Sequence, residues 1–128
     1  GEPLEIWGDP TKGMDLIYVK DFCQMIEKDL FAPKEASGTY NVGTGVLTSL
    51  EDQVHNIVDV FCEPDAVSDI SYRPEKHDCV NYCMNVDKAR ANLGYEPVYT
   101  PVKMLEDYKA EMEADRFADF FAERYEGR

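Results

Sequence analysis

The sequence is organised around one segment, Glu5-Ile6-Trp7-Gly8-Asp9-Pro10-Thr11-Lys12-Gly13-Met14-Asp15-Leu16-Ile17-Tyr18-Val19-Lys20-Asp21. β-prone apolar residues stand before and after a turn rich in glycine and proline, so the pattern predicts short strands over 4–7 and 16–19. From Val19 onward, the apolar residues recur at the spacing of a helix face. We expect the turn to expose Trp7, Asp9, Lys12 and Asp15. Such an arrangement is typical of a ligand site, although a plain hairpin rim explains the same pattern.

Composition places the chain among globular proteins. Its 128 residues are 44% apolar and 12% aromatic, which is typical of a single domain with a real core. The formal net charge is −13, and the surface as a whole therefore cannot bind nucleic acid, which requires clustered cations. An anionic membrane would likewise repel the chain. An anionic ligand would need a local cluster of Lys or Arg.

The four cysteines show neither a disulfide framework nor the spacing of a redox motif, and no pair of histidines completes a zinc set. We therefore expect no metal site. Reduced thiols, the lack of a signal peptide and the lack of an apolar run of about 20 residues favour a cytoplasmic protein. The chain starts without methionine and runs directly into a strand, as expected of a piece of a longer protein.

Further along the chain, the pattern predicts strands over 39–42 and 70–73 and helices over 50–62, 88–93 and from 101 to about 112. Thr48 and Glu51 have the spacing of a capping box. Gly94 is predicted to end a helix in the left-handed conformation, and Thr100 to cap the next helix with Pro101 in its first turn. We predict an α/β fold of short strands, some pairing parallel and some not, with four helices.

Two motifs resemble signatures of NAD enzymes, but each lacks a residue or a local structure that the signature requires. Gly43 and Gly45 lie between a predicted strand and helix, but a dinucleotide-binding loop needs a third glycine at Thr48. Tyr72 and Lys76 have the spacing of a catalytic Tyr/Lys pair, but the proline at position 74 breaks the helix that would bring them together. No nucleophile motif accompanies the histidine at position 55, so we predict no catalytic residue in this chain.

Five motifs follow one another in a specific order. They read Gly-Glu-Pro-Leu-Glu-Ile-Trp-Gly-Asp-Pro-Thr over 1–11, Met-Asp-Leu-Ile-Tyr-Val-Lys-Asp-Phe over 14–22, Gly-Thr-Tyr-Asn-Val-Gly-Thr-Gly over 38–45, Thr-Ser-Leu-Glu over 48–51 and Asn-Val-Asp-Lys-Ala-Arg-Ala-Asn-Leu-Gly-Tyr-Glu-Pro over 85–97. Together they resemble the C-terminal portion of the extended short-chain dehydrogenase/reductase family, the NAD-dependent nucleotide-sugar epimerases and dehydratases such as UDP-glucose 4-epimerase. The resemblance implies a substrate-binding region over 1–114. Residues 115–128 lie outside the resemblance, and we expect them to form an aromatic, acidic helical tail.

The resemblance also implies a substrate site. The first strand would lie along the nucleotide base, where Trp7 stacks on or walls off a uracil, and Tyr82 would contact the diphosphate-sugar part. The predicted substrate-binding residues are Glu5, Ile6, Trp7, Lys12, Leu50, Arg73, Lys76 and Tyr82.

Two positions depart from the family pattern. Arginines that hold phosphate in the family are replaced here by Met14 and Glu75. Lys12, Arg73 and Lys76 are the cations left to compensate, and a lysine lacks the bidentate fork of arginine. The departures leave the exact substrate open.

The resemblance implies NAD as the cofactor of the parent enzyme, with hydride transfer as its chemistry. The glycine-rich loop and the Tyr/Lys pair that serve this chemistry belong to the N-terminal half of the family, so we expect this chain alone to bind no cofactor and to be inactive. Its partners would be a nucleotide sugar and the missing N-terminal Rossmann domain. Without that domain, the apolar face formed by Phe22, Ile26 and Leu30 predicts self-association into a homo-oligomer.

Two alternatives stay open on the sequence. One is a freestanding binding or interaction module without chemistry. The other is part of a dehydrogenase of the same family that acts on a small substrate without a nucleotide.

Overall fold

The computed structural model describes residues 3–116. Its elements in chain order are β1 (Leu4–Trp7), β2 (Gly13–Asp15), α1 (Val19–Leu30), a short 3-10 helix (Lys34–Ala36), β3 (Leu47–Ser49), α2 (Leu50–Phe61), β4 (Ile70–Arg73), α3 (Asp87–Leu93) and α4 (Pro101–Ala114). The predicted α/β class, with short strands and four α-helices over the described residues, is confirmed.

The strands form two small sheets of different kinds. β1 pairs with β4 in parallel, with Trp7 opposite Arg73. β2 pairs with β3 in antiparallel fashion, and Met14 also forms a parallel bridge to Tyr82. The reading of 4–19 as a plain hairpin rim is therefore wrong, because β1 and β2 each pair with a strand from much further along the chain.

Two predicted strands are wrong. The second strand of the opening stretch lies at Gly13–Asp15 rather than over 16–19, because it is the residues beside the turn that reach β3. The predicted strand over 39–42 is irregular. Among the described residues, the backbone N–H groups of 39–43 find no hydrogen-bond acceptor. A β-prone segment becomes a strand only when a neighbouring strand pairs with it.

The helix ends follow local chemistry, with one shift. The Ser49 side chain, rather than that of Thr48, caps α2 by accepting a 3.0 Å hydrogen bond from the Asp52 N–H. Thr48 cannot serve, because it lies buried in β3. Gly94 ends α3 in the left-handed conformation as predicted, with φ 61°, and the Thr100 hydroxyl caps α4.

The core lies between α1 and α3. Met25, Ala89 and the fully buried Tyr95 form its centre. Partly buried apolar residues pack around them, namely Ile17, Tyr40, Val42 and Leu93. On the other side of the fold, α2 packs on α4, where the Phe61 and Tyr108 rings meet edge to face at 6.3 Å between centroids.

Helix α1 exposes most of its apolar face to solvent. Its buried residues are Asp21 and Met25, whereas Phe22, Ile26 and Leu30 are 45%, 47% and 73% exposed. Asp21 is buried because its carboxylate accepts two 3.0 Å hydrogen bonds, from the N–H groups of 98 and 99. The apolar stripe predicted from the sequence exists, but nothing in the described part of the chain covers it.

The C-terminal end of α4 lies at Ala114, where Asp115 takes a left-handed conformation with φ 41°. Residues 117–128, which make up most of the predicted helical tail, lie outside the described residues. Over 3–116, no helix combines the length and the hydrophobicity that a membrane crossing requires.

Candidate functional site

Asp15 ties together three segments of the candidate site. Its carboxylate accepts hydrogen bonds from the Thr44 N–H at 2.7 Å, the Thr44 hydroxyl at 2.5 Å, the Gly45 N–H at 2.9 Å and the Met84 N–H at 3.3 Å. Burial raises the pKa of Asp15, but these hydrogen bonds outweigh it and bring the pKa below its ordinary value. The expectation that Asp15 is exposed is therefore wrong, since only 5% of it is accessible.

The turn after β1 is closed by a second carboxylate, that of Asp78. It accepts a 2.7 Å hydrogen bond from the Asp9 N–H and forms an ion pair with Lys12. The hydrogen bond from the ammonium of Lys12 lowers the pKa of Asp78, and the same contact raises the pKa of Lys12. The turn residues and the loop around position 78 are therefore held in one arrangement.

At the β1–β4 edge, Glu5 holds two other predicted site residues. One carboxylate oxygen accepts a 2.9 Å hydrogen bond from the indole N–H of Trp7, and the other accepts one of 2.9 Å from Nε of Arg73. These two hydrogen bonds lower the pKa of Glu5. The Lys76 ammonium lies 5.5 Å from the centroid of the Trp7 ring, and Trp7 is 49% exposed. The indole therefore has a fixed orientation and an accessible surface.

Leu50 and Tyr82 flank β2 on its two sides. The Leu50 N–H donates a 2.7 Å hydrogen bond to the Lys12 carbonyl, and the Tyr82 N–H donates one of 3.1 Å to the Gly13 carbonyl. Tyr82 is 43% exposed, whereas the side chain of Ile6 is buried in the core. A ligand at position 6 therefore has only the backbone to contact.

Only part of the predicted set lies together, and it does so on an open surface rather than in a closed cavity. Glu5, Trp7, Arg73 and Lys76 form one group, and the Gly8 N–H, which donates a 2.9 Å hydrogen bond to the Arg73 carbonyl, leads from that group to the turn. Five cavities of 240–440 Å³ indent the described surface. None of these five is lined by a predicted site residue.

Two features of this surface were missed by the sequence analysis. The first is the role of Asp78, which lies 66 residues from its partner Lys12. The second is the 2.6 Å hydrogen bond from the Tyr72 hydroxyl to Glu51, which raises the pKa of Tyr72. Neither contact can be predicted from the local sequence, because each depends on the pairing of β1 with β4.

The chemistry available on this surface is binding and orientation. It presents an indole, a phenol, cations and carboxylates. Within residues 3–116, no group of three His, Cys, Asp or Glu side chains has a geometry that would hold a metal ion.

The backbone around the two glycines is already engaged. Thr44 and Gly45 direct their N–H groups at the Asp15 carboxylate. In a dinucleotide-binding loop such groups are free for phosphate. The residues present therefore do not fit an NAD phosphate site at this loop.

Comparison with known proteins places this geometry in context. No family model matches the chain. The dTDP-glucose 4,6-dehydratase of Xanthomonas campestris pv. campestris is 30% identical to it over 110 residues, which cover 78% of this chain and 30% of that protein.

Two solved structures are similar in fold. One is the dTDP-glucose 4,6-dehydratase of Bacillus anthracis in complex with NAD, with a TM-score of 0.66 and 25% identity over 90% of this chain and 36% of the other. The second is an epimerase from Methanothermobacter thermautotrophicus, with a TM-score of 0.71 and 25% identity over 88% of this chain and 34% of the other. The chain therefore spans about a third of the length of the proteins that it matches.

Proposed function

Because the chain belongs to the extended short-chain dehydrogenase/reductase family of NAD-dependent epimerases and dehydratases, we propose that it is the substrate-binding part of such an enzyme. Its substrate would be a nucleotide sugar, as in UDP-glucose 4-epimerase. By itself, the chain would bind its ligand weakly or not at all and would turn nothing over.

The observation that carries this proposal is the fixed, half-exposed indole of Trp7 at the edge of β1. An aromatic ring whose orientation is already set loses little entropy on stacking with a base. The Glu5 carboxylate fixes the ring from one end, and the Lys76 ammonium lies over it. The phenol of Tyr82, across the turn, would then meet the sugar end of the ligand.

NAD and the hydride chemistry would come from the remaining two thirds of the parent enzyme. The cofactor supplies oxidation and reduction of the sugar when it is bound there. In this chain, the N–H groups of Thr44 and Gly45 serve Asp15 instead of a phosphate, which is why we assign the cofactor to the missing part. The role of the present residues is to bind and orient the sugar nucleotide.

The missing part would dock on α1 and on the irregular segment 39–43. A 240 Å³ cavity lies between them, lined by Phe22, Ile26, Leu30 and Tyr40 among others. The N–H groups of 39–43 find no acceptor among the described residues, so an extended segment of the missing part can pair with them. In the isolated chain, the same apolar face would drive self-association.

A second candidate function is supported by the environment of Met14. In β2, Met14 lies opposite Thr48 on one side and bridges to Tyr82 on the other, so this row of the sheet offers no positive charge to a phosphate. The second candidate is therefore a dehydrogenase of the same family whose substrate has no diphosphate.

One experiment tests the proposal and separates the two candidates. The product of the complete reading frame is incubated with UDP-hexoses and dTDP-hexoses, and the products are separated by anion-exchange chromatography. We expect turnover, and we expect Trp7→Ala to raise KM about tenfold or more while Trp7→Phe largely restores it, since one stacked base contributes about 1–3 kcal/mol.

Loss of all turnover of nucleotide sugars by an otherwise folded protein would contradict the first candidate and leave the second. An unchanged KM in Trp7→Ala would contradict the assignment of the β1–β4 edge as the base site.

A further inference from the structure

We propose that the fold carries a second binding site, in which Arg90 holds the carboxylate of a small organic acid. The site is a 240 Å³ cavity lined by Arg90 of α3, by Thr48 of β3 and the loop before it, and by the first turn of α4. We call it the Arg90 cavity. None of the predicted substrate-binding residues lines it, so the proposal does not depend on the proposed function.

The guanidinium of Arg90 has hydrogen-bonding capacity to spare. Within residues 3–116, one of its N–H groups donates a 3.3 Å hydrogen bond to the Thr44 carbonyl, and no carboxylate forms an ion pair with it. The planar guanidinium binds a carboxylate through two parallel hydrogen bonds, which fix the orientation of the anion as well as its position. Arg90 therefore supplies the charge that a carboxylate requires.

A second, independent observation is the hydroxyl of Thr48. The residue is only 7% exposed, and among the described contacts only its backbone carbonyl takes part in a hydrogen bond, from Gln53. No fully buried polar side-chain atom of the described residues lacks a partner, so the hydroxyl must keep some access to solvent. The Arg90 cavity is the opening that Thr48 lines. A buried hydroxyl that faces a cavity without a partner is a ready donor to a ligand oxygen.

The first turn of α4 adds a favourable field. Thr100 and Pro101, the cap and the first residue of this 14-residue helix, both line the cavity. The N-terminal end of a helix carries a partial positive charge, which stabilises an anion close to it.

The buried carboxylates nearest to the cavity are already engaged. Asp21 accepts hydrogen bonds from the N–H groups of Val98 and Tyr99, and Asp15 accepts them from the N–H and the hydroxyl of Thr44. These donors offset part of the negative charge, which reduces the repulsion on an incoming anion.

The rest of the lining sets the class of ligand. Val46 and Val98 line the cavity and are 62% and 55% exposed, so an apolar group that covers them is stabilised by the area it removes from water. The volume of 240 Å³ is below the roughly 300–1,000 Å³ of pockets for drug-sized ligands. The chemistry therefore favours a monocarboxylate with a short apolar body over a bare phosphate.

Titration with three probes tests the site. The 128-residue chain is titrated with benzoate, with its uncharged analogue benzamide and with inorganic phosphate, while the amide N–H resonances are followed by NMR. We expect benzoate to shift the resonances of 44–48 and 100 in a saturable way, and both other probes to bind about tenfold more weakly or worse. If the chain alone gives the spectrum of an unfolded protein, the product of the complete reading frame is titrated instead.

Two variants identify the donors. Arg90→Gln should weaken benzoate binding about tenfold or more, whereas Arg116→Gln, which removes the same charge at the far end of α4, should leave it unchanged. Thr48→Val keeps the shape of the side chain and removes the hydroxyl. We expect it to weaken benzoate binding about threefold and to leave the urea midpoint unchanged or higher, because the hydroxyl has no partner to lose.

Each other outcome overturns the proposal. Equal binding of benzoate and benzamide would remove the role of the carboxylate, and equal losses in Arg90→Gln and Arg116→Gln would show a general charge effect. A lower urea midpoint of Thr48→Val would show that the hydroxyl serves the fold. Binding by this chain but not by the product of the complete reading frame would show that the missing part fills the cavity. None of these results bears on the binding of a nucleotide sugar at Trp7.

Discussion

The Asp15 carboxylate accepts a 2.7 Å hydrogen bond from the backbone N–H of Thr44, 29 residues further along the chain. With its other hydrogen bonds, this contact joins β2 to the loop 43–45 and to the segment that carries Tyr82. We expect Asp15→Asn to lower the free energy of unfolding by about 1–3 kcal/mol, since a buried charged acceptor with several donors is lost. Urea unfolding followed by circular dichroism measures this change.

The same carboxylate predicts a dependence of stability on pH. The pKa of Asp15 is lowered in the folded state, so its contribution is complete above the ordinary carboxyl pKa of 3.8 and is lost as the pH falls through the lower folded-state pKa. We expect the stability difference between the wild type and Asp15→Asn to shrink below about pH 4. A difference that stays constant down to pH 2 would contradict this role of the carboxylate.

Tyr95 is fully buried, and its hydroxyl donates a 2.9 Å hydrogen bond to the Gly43 carbonyl. Tyr95→Phe leaves that carbonyl without its donor, so we expect a loss of about 1 kcal/mol of unfolding free energy at pH 7. Unfolding in urea, with Tyr108→Phe as an exposed control, checks the value.

The alkaline range tests Tyr95 in another way. Burial raises the pKa of Tyr95 to about 12, whereas the ordinary pKa of tyrosine is 10.0. The contribution of its hydroxyl to stability is therefore complete below pH 10 and is lost as the pH rises from 10 to about 12. The wild type should therefore lose more stability than Tyr95→Phe between pH 9 and pH 11. Tyr18, whose pKa burial also raises to about 12, is present in both proteins and cancels in the comparison. Identical losses would show that the Tyr95 hydroxyl is not buried.

Gly13 lies in β2 opposite Ser49 of β3, against the β3 backbone. A Cβ at this position would lie 1.9 Å from the Thr48 carbonyl oxygen, which is backbone and cannot turn aside. We expect Gly13→Ala to destabilise the protein by about 3 kcal/mol or more, as overpacking in a rigid place does. Gly38→Ala is the control, because its added Cβ would meet a flexible lysine end at 3.3 Å and the Tyr40 ring at an ordinary contact distance of 3.7 Å. Equal thermal denaturation of the two variants would contradict the pairing of β2 with β3.

The uncovered face of α1 predicts self-association of the isolated chain. Ile26 and Leu30 are 47% and 73% exposed, and such apolar patches are uncommon on monomers. Sedimentation velocity should show a weight-average mass that rises with concentration, and the double variant Ile26→Gln, Leu30→Gln should abolish the rise.

Val67→Gln, at an exposed position outside α1, is the control for that experiment and should associate like the wild type. A wild-type chain that stays monomeric at every concentration would contradict the prediction.

The elements with strong local signals were predictable from the sequence. The start of α1 at Val19, the strand Ile70–Arg73, the left-handed end at Gly94 and the cap at Thr100 follow from periodicity and capping chemistry within a few residues. The cap of α2 was misplaced by one residue, because two adjacent hydroxyl residues both match the motif and only the burial of Thr48 in β3 distinguishes them.

Features that depend on distant partners were not predictable in this way. The segment 39–42 has the composition of a strand, yet composition does not provide the neighbour that a strand requires. Asp15 looked like a residue of an exposed turn, and only the approach of Thr44 and Met84 explains its burial. For the site, the sequence indicated Glu5, Trp7 and Arg73 as separate residues, and the parallel register of β1 with β4 makes them one cluster.

The central claim is that this chain is the substrate-binding part of an enzyme whose cofactor binds elsewhere. Isothermal titration of NAD into two samples tests it most directly, one sample being this chain and the other the product of the complete reading frame. We predict binding of one NAD per complete protein, and no heat of binding with this chain alone. Binding of NAD by the isolated chain, or its absence from the folded complete protein, would contradict the account.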